Sequence, residues 1–192
     1  MSPRLQPAIV SSYCCFSLPT AMDIRQASAK DIPVLTRLVN SAYRPTVGTG
    51  GWTSEKYLFK GDRIDENGIR QLMGADGGAL YIGVHNQQAA GCVYLQRDGE
   101  NLYLGLLSVD PGLQAKGIGR SLLRFSETLA ATNGCSRIVM TVIEKRTELV
   151  NWYVRHGYLP TGEKLPYTED PLSEALEDIE FLVLAKQIGT NP

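Results

Sequence analysis

Beyond residue 22 the apolar positions follow two rhythms, a spacing of three to four and a spacing of two, and the switches between them set out the elements. Ile24 to Ala27 reads as a short strand. Ser28 and Asp31 stand in capping-box spacing ahead of Ile32, Leu35, Leu38, Val39 and Ala42, which predicts an amphipathic helix with Pro33 near its start and Asp31 as a second choice of N-cap. Residues 48–78 hold eight glycines among polar residues and the aromatics Trp52, Tyr57 and Phe59, as expected of long loops with short helical pieces. Leu80–Val84, Gly91–Leu95 and Leu102–Val109 are β-rich runs parted by Asn86-Gln87-Gln88 and Asp98-Gly99, so an antiparallel meander is expected. In the third run Leu102, Leu104 and Leu106 are expected on one face and Tyr103, Leu107 and Val109 on the other, both buried as in a central strand. A helix from Gly119 to about Thr132, stopped by Asn133-Gly134, a strand Arg137–Ile143, a helix from Thr147 to His156 and a strand Ile179–Ala185 complete the pattern. The fold class is α/β, an α+β mixed sheet in one domain, with no internal repeat.

The chemistry concentrates where the central strand ends, in Val109-Asp110-Pro111-Gly112-Leu113-Gln114-Ala115-Lys116-Gly117-Ile118-Gly119-Arg120. A helix start leaves backbone N–H groups without intrahelical partners and adds positive potential, so a pyrophosphate can be held there with few side-chain charges. Pro111 keeps Asp110 extended, Gly117 and Gly119 clear the approach, and Lys116 and Arg120 add charge. A dinucleotide fingerprint fails because its third glycine is Leu122, and a phosphate-loop NTPase fails because Lys116 precedes its glycine.

With Gln114-x-x-Gly117-x-Gly119 in place, the chain resembles the GNAT superfamily of N-acetyltransferases over residues 22 to about 187. A second signature supports this, Tyr153-x-x-x-Gly157-Tyr158 on the following helix. The resemblance implies a central, splayed, mostly antiparallel sheet flanked by helices, with a bulge in Leu107–Val109 that splays this strand from Arg137–Ile143. It implies acetyl-CoA as co-substrate, with Leu107, Ser108 and Val109 along the pantetheine arm and Gln114, Ala115, Lys116, Gly117, Ile118, Gly119 and Arg120 around the pyrophosphate, and no metal. Many members carry Asn seven residues before the helix tyrosine. This chain has Arg146 there, either reaching a CoA phosphate or solvated. The segment Gly51-Trp52-Thr53, with Glu55 and Gly61, also looks like a subset of small bacterial-type GNAT enzymes.

Amide formation from a thioester needs a neutral amine, stabilisation of an oxyanion and a proton for the departing thiolate. A phenol at hydrogen-bond distance can protonate a thiolate, and motif position selects Tyr153. Tyr153 also shares a helical face with Leu149, Trp152 and His156, the arrangement of ordinary core packing. Base candidates are His85, His156, Glu100, Glu144 and Glu148, with none singled out. Residues 144–180 hold nine acidic residues against four basic, which would draw in a cationic amine or merely form a solvated face. Trp52 and Tyr57 could cover an acceptor.

A formal charge of −1 argues against a nucleic-acid partner, and the absence of any apolar run near 18 residues argues against a membrane span. Four cysteines without CxxC spacing fit a reducing, cytoplasmic setting. Residues 1–21, with Arg4 as their one charge, are expected to be a flexible extension ahead of a domain over 22–188. The serines at 11, 12 and 17 break up any secretory apolar core. The expected activity is transfer of acetyl to a primary amine of a small molecule or peptide by direct attack. The alternative is a weak or inactive GNAT-like module that binds acyl-CoA or acts through protein contacts. A homodimer is compatible with either.

Overall fold

The computed structural model describes residues 22–45 and 54–189. Seven strands form one sheet in the order β1-β3-β4-β5-β6-β9-β7, from β1 (Asp23–Gln26), β3 (Gly78–His85), β4 (Gln88–Asp98), β5 (Asn101–Val109), β6 (Arg137–Ile143), β7 (Leu159–Pro166) and β9 (Glu180–Gln187). All neighbours run antiparallel except β5 and β6. A small ribbon pairs β2 (Phe59–Gly61) with β8 (Ser173–Ala175).

The helices follow their apolar stripes. Helix α1 (Ile32–Tyr43) has Asp31 at its N-cap and buries Leu35, Leu38, Val39 and Ala42. It packs with α2 (Glu66–Gly74) on one face of the sheet, over Leu80, Ile82 and Tyr94. Helices α3 (Ile118–Thr132) and α4 (Thr147–Arg155) belong to the core of the other face, where Leu122, Leu123 and Tyr153 meet Val93, Leu104 and Met140. Among the described residues no helix is long and apolar enough to cross a membrane.

Two features shape the centre of the molecule. Cys92 faces Ser108 and Tyr94 faces Gly105, so Leu106 and Leu107 together oppose Val93, and Leu106 takes a φ of +47°. The extra residue is a β-bulge, and it reverses the alternation. Leu106 therefore joins the α1 core instead of sharing a face with Leu102 and Leu104, while Leu107 and Val109 turn to the α3 and α4 side. The second feature is that β5 pairs with β6 only over Asn101–Tyr103, opposite Arg137–Val139. Beyond Tyr103 the strands part, while β6 stays paired with β9 as far as Ile143. The splayed, mostly antiparallel sheet expected from the sequence is thus present.

The strand β7 is absent from the sequence-based pattern, as are β2 and β8. Trp52 and the 1–21 extension lie outside the described residues.

Candidate active site

Beside the splayed end of β5 lies a cleft of about 570 Å³. Its walls are Leu107 and Val109 of β5, the loop Leu113–Ala115, the first residues of α3, and Leu149, Trp152, Tyr153 and His156 of α4. The loop is built locally. Asp110 accepts a hydrogen bond from the Gly112 N–H (2.8 Å), which folds the chain into a short 3₁₀ turn over Pro111–Leu113. Ala115 and Gly117 then take φ values of +62° and +81° and turn the backbone into α3. No side chain caps α3, whose N-cap is Gly117, so the N–H groups of its first turn keep their hydrogen-bonding capacity beside the cleft. A Cβ at Gly117 would meet nothing within 4 Å, so this glycine is required for its φ; a Cβ at Gly119 would touch the Trp152 ring at 3.5 Å.

Seven of the expected cofactor residues line this cleft: Leu107, Val109, Gln114, Ala115, Gly117, Ile118 and Gly119, and Arg120 and Arg146 lie on its wall as well. Lys116 is exposed and lies off the lining. Ser108 points away from it, buried, with its Oγ donating to the Leu106 carbonyl (3.0 Å).

A second cavity of about 330 Å³ lies on the far side of Tyr153, between the end of α1, the splayed part of β5 and β6, and the segment 165–173. The two cavities share Tyr43, Arg146, Leu149 and Tyr153. Tyr153 is 6% exposed, packs edge-on against Trp152 and Tyr158, and its hydroxyl has no hydrogen-bond partner among the described residues. Burial pushes its phenol well above the usual range, so it stays protonated. Helix α4 is held in place from below: the Tyr158 hydroxyl donates to Glu127 of α3, and Lys186 of β9 binds both Glu127 (2.7 Å) and the His156 carbonyl (3.0 Å). Tyr43 donates to the Leu107 carbonyl (3.3 Å) in the splayed part of β5, and its phenol is likewise raised, by burial and by the nearby Glu55 charge.

The comparisons with known proteins agree with this architecture. A family model for the acetyltransferase (GNAT) family matches residues 40–158, more than half of the chain. The chain belongs to the GNAT family. No curated protein matches it by sequence. Among solved structures, the ribosomal-protein-S18-alanine N-acetyltransferase of Escherichia coli superposes with a TM-score of 0.70 at 14% identity, over 90% of this chain and 97% of that one. A GNAT family acetyltransferase of Elizabethkingia anophelis, solved with acetyl-CoA bound, gives 0.60 at 19% identity, over 86% and 97%. A Streptococcus pneumoniae member gives 0.62 at 19% identity, over 88% and 100%.

On this GNAT frame the position of Arg146 is the least expected. The guanidinium is not solvated: the residue is 4% exposed, bridges to Glu148 (3.2 Å) and faces Glu55 (3.7 Å) at the boundary of the two cavities. Glu55, itself buried, is also gripped by Arg44, which stacks on Phe59 and donates to Ser173 (3.0 Å). Tyr43, Arg44 and Arg63 carry no motif in the sequence, because their partners are distant along the chain. The one hint is the Glu55 that follows Gly51-Trp52-Thr53.

The expected base candidates scatter. His85 ends β3, Glu100 sits in the turn before β5, and neither lines a cavity. Glu144 is bound by Lys164 (2.8 Å) on the surface. His156 lines the cofactor cleft, stacked on Trp152, with Nδ1 bonded to the Trp152 carbonyl (2.8 Å), and Glu148 lines it beside Arg146. The acidic surplus of residues 144–180 is mostly outside the site: Lys164 also holds Glu180, Lys145 holds Glu177, and only Asp170 reaches the second cavity. Tyr57 is 77% exposed and covers nothing.

Proposed function

We propose that this GNAT protein transfers an acetyl group from acetyl-CoA to a primary amine of a small molecule or peptide by direct attack. One observation carries the reading: the buried phenol of Tyr153 stands where a cleft with, among the described residues, an open strand edge and an uncapped helix start meets a second cavity. The residues present fit the cofactor. The edge of Leu107–Val109 that faces β6 has no strand beside it and suits an amide-bearing arm, while Gln114–Arg120 suits a pyrophosphate, with Arg120 and Arg155 as nearby cations. The likeness to the acetyl-CoA-bound relative supports acetyl as the group carried.

Acetyl-CoA supplies an activated acyl thioester. Tyr153 holds a proton for the sulfur as the C–S bond breaks and the C–N bond forms, and backbone N–H groups of the β5 edge meet the charge that builds on the carbonyl oxygen. The amine loses its own proton to water, since none of the expected bases faces the second cavity. Release of free thiol from acetyl-CoA on addition of a panel of small amines and peptides tests the proposal. Amine-dependent thiol release, with the acetylated amine found by mass spectrometry, is the expected result. A protein that binds acetyl-CoA but releases no thiol with any amine is instead the non-catalytic, acyl-CoA-binding module.

A further inference from the structure

Among the described residues, the second cavity holds a cation without a carboxylate. Its ionisable lining is Arg44, Arg63, Arg146, Glu55 and Asp170, and Glu148 at the edge of the cofactor cleft also bridges Arg146 (3.2 Å). The pairings are specific. Arg44 and Arg146 both converge on Glu55, and Asp170 is occupied in its own turn, accepting from the Leu172 N–H (2.9 Å). Arg63 is left over. Its guanidinium rests on the ring of Tyr43, 5.7 Å from the centroid, and has no carboxylate partner among the described residues. Behind it the Arg44 Nε is buried with no acceptor of its own. Arg63 lines the second cavity alone and is absent from the cofactor cleft, which has separate cations in Arg120 and Arg155.

The guanidinium of Arg63 repels a simple cationic amine placed beside it. A molecule that brings a negative charge of its own to Arg63 relieves that repulsion. The volume of about 330 Å³ is at the small end of ligand sites, a fit for a compact molecule. We infer that the acceptor is a small amine that also carries an anionic group, a carboxylate, phosphonate or phosphate monoester, bound by Arg63 in the second cavity while the amine lies at Tyr153. This inference rests on the amine-transfer reading above.

The test measures thiol release from acetyl-CoA by the full chain with three acidic series: L-amino acids, aminoalkylphosphonates and O-phosphoethanolamine. Each is run beside its counterpart without the anion, the amino-acid amides and the simple alkylamines, in the wild type, Arg63→Gln and Arg63→Lys. The expected result is that at least one acidic series exceeds its uncharged counterpart in kcat/KM by about tenfold or more. The series that does so identifies the anion. Arg63→Gln should erase that preference through a raised KM for the acid, with kcat and the KM for acetyl-CoA held, and Arg63→Lys should restore part of it. Arg63 is partly exposed and pairs with no buried carboxylate, so the melting temperature should hold as well. Uncharged amines turned over as well as the acids, or an Arg63→Gln loss equal in both series, overturns the inference and leaves amine transfer standing. No thiol release with any compound overturns both.

Discussion

Tyr153 is nearly completely buried, lines both cavities, and makes no hydrogen bond through its hydroxyl among the described residues. Removing that oxygen breaks no internal hydrogen bond, so Tyr153→Phe should keep its melting temperature and its affinity for acetyl-CoA while kcat falls about 100-fold. A fall in stability that accounts for the lost activity would make Tyr153 a packing residue. Because burial raises the phenol well above its ordinary value, the acid stays loaded as pH increases. The expected pH profile of kcat/KM therefore rises as the amine deprotonates and then levels, with no falling limb up to about pH 10. A falling limb near pH 8 that disappears in Tyr153→Phe would contradict this. Asp31 is the opposite case: the Arg25 guanidinium and the Ser28 N–H and hydroxyl hold its carboxyl well below the usual carboxylate range. A folded-state value below the unfolded one gives stability that is full above about pH 4 and is lost as pH falls toward the depressed value. Asp31→Asn should thus cost about 1 kcal/mol at pH 7 in urea melts, with the gap closing on acidification below pH 4.

At the scale of elements, the loop that starts α3 separates binding from stability. Gly117→Ala meets no neighbour, so its cost is the left-handed φ alone, about 1 kcal/mol. The strain falls on the cofactor loop, and acetyl-CoA binding measured by calorimetry should weaken more than the melting temperature does. This loop and its helix were legible in the sequence because their chemistry is local: a proline, paired glycines and a strand end within a dozen residues. The helices α1 and α3 were legible for the same reason, their stripes repeating without interruption. The bulge at Leu106 came from the family resemblance alone, which set it in the adjoining Leu107–Val109, since nothing in Leu104-Gly105-Leu106-Leu107 distinguishes a continuous alternation from one with an added residue. Strand β7 was hidden by its composition. Each of its residues is exposed, it contains Pro160 and Pro166, and it pairs only at the sheet edge, where a missing donor is tolerated.

Across the whole molecule, Glu55 joins parts remote in sequence. Its carboxylate lies between Arg44, just past α1, and Arg146, at the start of α4, and Arg44 reaches on to Ser173 of β8. Replacing it by Gln leaves the buried Arg44 guanidinium without its anion and Arg146 with Glu148 alone, and Glu55→Gln should cost about 3 kcal/mol in urea melts. This network had no signature in the sequence, because ion pairs across such separations follow from topology and not from spacing. It also binds the wall between the two cavities, so the acceptor side and the cofactor side depend on one set of contacts. The claim on which the rest stands is that the cleft between β5, the start of α3 and α4 takes acetyl-CoA. Thermal unfolding in the presence of acetyl-CoA, with NAD as control, tests it directly. Ligand at about 100 times its dissociation constant adds about 2.7 kcal/mol, a rise of several degrees for a domain of this size. A rise with acetyl-CoA and none with NAD is the predicted result; no rise at millimolar acetyl-CoA would contradict the account.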